Sequence, residues 1–179
     1  MTDFGFIKKI KPWDRTYTLC GTPEYMAPEI ILNVGHGRAA DWYTLGILMY
    51  ELTVGRPPFM HNDTYEIFKM TLREQIPFPT GFPSDLKSII KHVTAHDLSK
   101  RYGNLINGSE DIKGHRYFKK INFDQLLQMK IEAPYVPKPG KLTDHFKDGG
   151  LGLEKLPESQ DNKSAPEVKA NIDVFRKWF

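Results

Sequence analysis

Apolar positions along this chain follow a helical rhythm rather than an alternating one. The run "WYTLGILMYELTV" at 42–54 is apolar on almost every face, which predicts a helix buried all round, a central post for the domain. Asp41 stands ahead of it at an N-cap position, and Gly55 with the pair Pro57 and Pro58 ends it. A second helix is predicted from Asp63 or Thr64, with Tyr65, Phe68 and Leu72 on one stripe. A third opens on Ser84 as its cap and carries Leu86, Ile89, Ile90 and Val93 at i, i+3, i+4 and i+7. Shorter helical pieces are expected near 109–118 and 123–130, each with a Ser or Asp at its start. Residues 1–29 read as loop, because Gly5, Pro12, Gly21, Pro23 and Pro28 interrupt any period. No convincing alternating strand appears, so the expected fold class is mainly α.

The pattern changes after about residue 131. "APYVPKPG" is held extended by its prolines, and "KDGGLGLEKLPESQDNKSAPEVKA" reads as a polar tail. The last nine residues, "NIDVFRKWF", turn aromatic again, and Phe175, Trp178 and Phe179 invite a pocket to hold them.

Composition narrows the class. With 40% hydrophobic residues the chain can bury a core, which argues against global disorder. A net charge of +3, from 25 basic and 22 acidic residues, is too small to argue for nucleic acid or an anionic membrane. The longest nearly apolar run falls short of the roughly 18 residues a membrane span needs, and the N-terminus has no signal-peptide pattern. A single cysteine cannot form an internal disulfide, so a reducing cytoplasmic (or nuclear) home is expected.

The chemistry begins with Asp3-Phe4-Gly5. A carboxylate can hold a hard cation such as magnesium, and the glycine lets the backbone turn sharply beside it. Three residues mean little alone, but "APE" follows at 27–29 with "GTPEY" at 21–25 between. These are parts of the protein-kinase signature. The "GTPEY" form resembles Ser/Thr kinases rather than tyrosine kinases. With "DLSKRYGNL", "DIKGHRYF" and "EAPYVPK" further on, the chain resembles the AGC group, closest to the cyclic-AMP-dependent kinases, with the cyclic-GMP-dependent ones next. The resemblance implies the large C-terminal lobe from "DFG" onward in residues 1–118 and an AGC C-terminal tail in 119–179.

It also implies roles. Asp3 would bind magnesium at the ATP phosphates, and Phe146 would touch adenine. Thr18 would be the activation-loop phosphosite, where a phosphate adds up to about two negative charges. Lys8 and Arg15 would be its basic partners, although the spacing from Asp3 to Thr18 is about two residues longer than usual for the family. Thr22 would bond the catalytic aspartate and lysine of the complete enzyme. Leu19, Pro23 and Met26 would form an apolar rim for the residue after the target serine. Glu24 and Glu51 would select arginines before it, since guanidinium pairs well with carboxylate. Glu29 would form a buried pair with Arg101, and Asp41 would brace the catalytic loop. Partners implied are protein substrates with Arg or Lys before Ser or Thr, and a cyclic-nucleotide-binding regulatory subunit.

Phosphoryl transfer in this family also needs a Gly-rich loop, a lysine paired with a helix glutamate, and an "HRD....N" loop. The 179 residues contain none of these, and "HRYF" at 115–118 is no substitute. A truncated gene model or a cloned fragment is therefore expected, inactive by itself, with ATP and Mg2+ bound weakly or not at all. A non-catalytic kinase-derived binding module is the alternative. More remotely, Gly35–Ala40 fits G-x-G-x-x-A after the strand-like "EIILNV", as a dinucleotide-binding turn would. His92 and His96, four apart, could share a metal on one helix face, but the usual glutamate and a third ligand are absent, and they read better as two surface histidines. Cys20 has no acid–base partner placed near it and reads as a loop thiol.

Overall fold

The computed structural model describes residues 4–11 and 13–136. Asp3, Phe146 and the terminal aromatics Phe175, Trp178 and Phe179 lie outside the described residues. Chain contacts divide the protein into Met1–Ile131 and Glu132–Phe179, and every helix among the described residues belongs to the first unit.

Among the described residues the regular structure is helical, and the only β pairing is one bridge between Thr16 and His36. In order come a 3₁₀ turn Pro23–Tyr25, α1 Pro28–Ile31, α2 Ala39–Val54, α3 Thr64–Arg73, α4 Ser84–Val93, α5 Glu110–Lys113, a 3₁₀ turn Arg116–Phe118 and α6 Phe123–Leu127. None of these helices is long and apolar enough to cross a membrane.

The loop expected through residue 29 is shorter than its prolines suggested. Pro28 sits in the first turn of α1, where its fixed φ and missing N–H cost nothing, so it starts a helix instead of breaking one. The strand-like reading of "EIILNV" fails with it, because Glu29–Ile31 are helical. The dinucleotide-binding alternative loses the strand it required. Gly35 has a packing reason instead: it has φ +84°, and a Cβ there would lie 2.9 Å from the Tyr17 ring.

Asp41 is not the cap of α2. Ala39 and Ala40, the strongest helix formers, carry the helix back past it, and Arg38 takes the cap position. Asp41 therefore lies in the first turn, where a negative charge suits the helix dipole. Nor is α2 buried all round. Ala40, Tyr43, Gly46, Ile47 and Tyr50 face the core, while Leu48 is 41% and Leu52 78% exposed. Its packing partners, α4 and the Pro23–Tyr25 turn, cover only one face.

Helix α3 starts at Thr64, as expected, and the Asp63 carboxylate caps it by accepting from the Tyr65 N–H at 2.9 Å. The buried stripe is Ile67 and Thr71, not one running through Tyr65, which is 70% exposed. The helix rolls to place its i, i+4 pair inward with Phe68 alongside. In α4 all four predicted positions, Leu86, Ile89, Ile90 and Val93, are buried. Its cap position belongs to Pro83, whose carbonyl accepts from Lys87 N; Ser84 is the first helical residue and makes no capping bond. Ser109 likewise makes no side-chain cap for α5, and α6 is capped by Asn122 accepting from Gln125 N, one residue before the stretch expected.

The α2–α4 contact closes over Gly46. A Cβ there would lie 2.5 Å from Thr94 Cγ2 and 2.7 Å from Val93 Cγ2, so the helices approach as closely as a missing side chain permits. Tyr50 on α2 donates to the Pro77 carbonyl at 2.6 Å and meets the rings of Phe78 and Phe82. A fully buried Arg101 ties this core to α1. Its guanidinium donates to both Glu29 oxygens and to the Ala39 and Ala95 carbonyls, and lies 5.2 Å from the Tyr43 ring centroid.

Candidate functional site: the loop at 15–26 and the carboxylates beside it

The segment from Arg15 to Met26 is pinned at both ends and open between. At its start, Thr16 and His36 exchange two backbone bonds of 2.9 Å, and Arg15 donates to the Gly35 carbonyl at 2.9 Å. Lys8 Nζ donates to Thr16 Oγ1 at 2.9 Å. Both basic residues expected near Thr18 thus hold the base of the loop. Thr18 itself is exposed, and its hydroxyl has no hydrogen-bond partner among the described residues.

At its end the segment dives into the core. Met26 is 7% exposed and Ala27 fully buried, packed with Ile30, Ala40, Tyr43 and Ile47. Of the three apolar residues expected at a rim, Leu19 is 58% exposed, Pro23 is half-buried and Met26 belongs to the core cluster. Cys20 is half-buried and reduced.

Between these anchors, Pro23 at the first position and the bond from Tyr25 N to Thr22 O turn the chain. Thr22 is exposed, and its hydroxyl makes no cap bond. The turn carries Glu24 and aims the Tyr25 hydroxyl at Glu51 on α2, to which it donates a hydrogen bond. That bond, with burial and the charges of Glu51 and Glu24, pushes the Tyr25 phenol up to about 12. Tyr25 therefore stays neutral and holds one Glu51 oxygen fixed. The charges of Glu51 and Glu24 both act on this phenol, and a carboxylate is the acceptor that a guanidinium pairs with best. Sequence reasoning missed Tyr25; its place beside Glu24 in "GTPEY" was the available signal.

Asp41 lies at the near end of α2, exposed, with partial desolvation pushing its carboxyl above the usual range and nearby His36 pulling it back. Helix α4 ends at Val93, before His96, so the metal-binding face suggested for His92 and His96 does not form. His92 instead bonds the Ser88 carbonyl through Nδ1 at 2.7 Å and packs on Tyr102. Among the described residues no three His, Cys, Asp or Glu side chains gather where they could hold a metal ion.

A protein kinase domain family model matches residues 1–118. The chain is 49% identical over 138 residues to a Dictyostelium discoideum protein named cAMP-dependent protein kinase catalytic subunit, covering 77% of this chain and 21% of that one. It is 40% identical over 179 residues to the human cAMP-dependent protein kinase catalytic subunit PRKX, 99% of this chain and 48% of that one. A Caenorhabditis elegans cAMP-dependent protein kinase, catalytic subunit-like, is 42% identical over 182 residues, 99% and 43% respectively. The chain spans about half or less of the length of these relatives.

Proposed function

Because this chain belongs to the protein kinase family, we propose that it is the substrate-receiving part of a Ser/Thr protein kinase that moves the ATP γ-phosphate to hydroxyls preceded by Arg or Lys. The main support is the Tyr25–Glu51 bond, which fixes one carboxylate, with Glu24 carried on the same turn as Tyr25. Fixing an acceptor in advance lowers the cost of ordering it when a guanidinium arrives. Thr22 and Thr18, with hydroxyls that make no bond among the described residues, lie on the same segment. In this reading Thr18 takes a phosphate and Leu19 and Pro23 line the rim next to the target.

ATP and Mg2+ serve protein kinases generally. The candidate contacts Asp3 and Phe146 lie outside the described residues, and the described residues offer no metal-binding cluster, so no step is assigned to either group. The 179 residues also carry no kinase lysine and no "HRD....N" loop. Removing one member of a cooperating catalytic unit already removes most of its rate, so the polypeptide by itself binds targets without phosphorylating them. A cyclic-nucleotide-binding regulatory subunit, implied by the relatives' names, would use the same acceptors through its own arginines.

The test is a peptide array overlaid with the labelled chain. Peptides with two arginines before a serine should retain it, and their arginine-to-alanine twins should not. Equal retention on both sets would defeat the reading.

A further inference from the structure

A second recess, basic rather than acidic, is lined by neither Glu24 nor Glu51. A cavity of about 550 Å³ is bounded by Tyr43 on α2, the end of α3 and its connection to α4, α4 itself and the loop behind it. That volume is within the roughly 300–1,000 Å³ typical of ligand sites. Tyr43 lines it while only 1% exposed, and its hydroxyl has no hydrogen-bond partner among the described residues. That hydroxyl is not sealed from solvent, since among the described residues Asp111 Oδ2 is the buried side-chain polar atom without a partner, so it can donate to a ligand acceptor in place of water. Phe78 supplies an apolar wall, with the Lys87 ammonium 5.1 Å from its ring centroid. Arg73 and Lys91 stand exposed on the lining, and neither has an ion pair among the described residues. Among the described residues Glu74 is the only carboxylate on the lining, so three cations face one anion there. His96 also lines the cavity, but burial and the nearby Arg101 favour its neutral form, so it adds little charge.

We propose that this cavity docks an acidic segment of a partner protein, with an apolar side chain against Phe78 and a carboxylate between Arg73 and Lys91 that accepts from Tyr43. Charge complementarity selects this occupant over a neutral or basic peptide. Neither Glu24 nor Glu51 lines the cavity, so the proposal is independent of the site for arginine-bearing targets.

The full chain would be titrated by fluorescence anisotropy with a labelled peptide alternating Glu with Leu and Phe, and with its Gln-for-Glu twin. The acidic peptide should bind saturably and the twin at least about tenfold more weakly. The surface pair Arg73→Glu with Lys91→Glu should lose at least about tenfold for the acidic peptide while keeping its affinity for an arginine-rich one. Tyr43→Phe, with an unchanged circular-dichroism spectrum, should lose several-fold. No saturable binding below about 1 mM, equal affinity for the twin, or full affinity in the double variant would overturn the proposal. So would displacement of the peptide by phenylacetate at comparable concentration, which would make the cavity a small-molecule site.

Discussion

Arg101 and Glu29, 72 residues apart, meet in a two-pronged buried pair, Nη1 to Oε1 at 2.6 Å and Nη2 to Oε2 at 3.0 Å, with at most 5% of either side chain exposed. The fork leaves neither charge without a partner, and the Ala39 and Ala95 carbonyls take further guanidinium hydrogens. Breaking such a pair from one side strands a charge, at about 3–5 kcal/mol, whereas replacing both sides by apolar groups is often near neutral. Arg101→Ala should therefore lower the melting temperature by at least about 6 °C, measured by circular dichroism. The double variant Arg101→Met with Glu29→Leu should recover most of the loss. An unchanged melt in the single variant would show that this pair does not hold the fold.

Gly46 makes a case where two effects oppose. Alanine is favoured over glycine inside a helix by about 1 kcal/mol. Here, however, its methyl would fall 2.5 Å from Thr94 Cγ2, and overpacking of that kind costs about 1–3 kcal/mol. Gly46→Ala should melt below the parent by a few degrees. A higher melting temperature would mean that α2 and α4 can part enough to admit a methyl group.

Tyr25 should titrate late. Its phenol is raised to about 12 first by the bond to Glu51, then by burial and by the charges of Glu51 and Glu24. The neutral form is the one the fold favours, so its contribution is present below about pH 10 and lost as pH rises toward 12. An ultraviolet titration of Glu51→Gln against the parent should show one tyrosine ionising earlier in the variant. Superimposable curves would mean that the bond does not form in solution.

His115 gives the acid side. Its Nδ1 accepts from Tyr117 N at 3.1 Å, and its Nε2 lies 3.1 Å from Ser88 Oγ. Burial, then His92 and Arg116, hold its pKa below 6.5, with Asp85 opposing. The folded state thus prefers the neutral ring, and the unfolded chain takes the proton first as pH falls through 6.5. Melting temperature should drop between about pH 7.5 and 5.5, and less steeply in His115→Asn, which keeps an acceptor for Tyr117 N. His96 shifts the same way, so the slope shrinks rather than vanishes. An identical slope in the variant would exonerate His115.

How much was legible depends on the range of each signal. The α4 stripe is a local period, and all four of its residues point inward as read. The capping errors at Asp41 and Ser84 share a cause: alanines or a proline one or two residues upstream move the helix start, and cap residues compete over just such short distances. The exposed face of α2 escaped periodicity altogether, since Leu48 and Leu52 look as apolar as Ile47. Glu29 and Arg101 came from resemblance, because nothing in a 72-residue gap says that two charges will meet. Tyr25 stayed hidden for a related reason: its importance lies in a contact with α2, 26 residues away.

The functional proposal turns on Glu51, fixed by Tyr25, receiving an arginine of the target. The most direct measurement is an anisotropy titration of the whole chain with a labelled peptide carrying two arginines before serine, repeated on Glu51→Gln. The parent should bind saturably, and the variant should lose at least about tenfold with its melting temperature within a few degrees of the parent's. Equal affinity in the two proteins, or no binding by the parent, would contradict it.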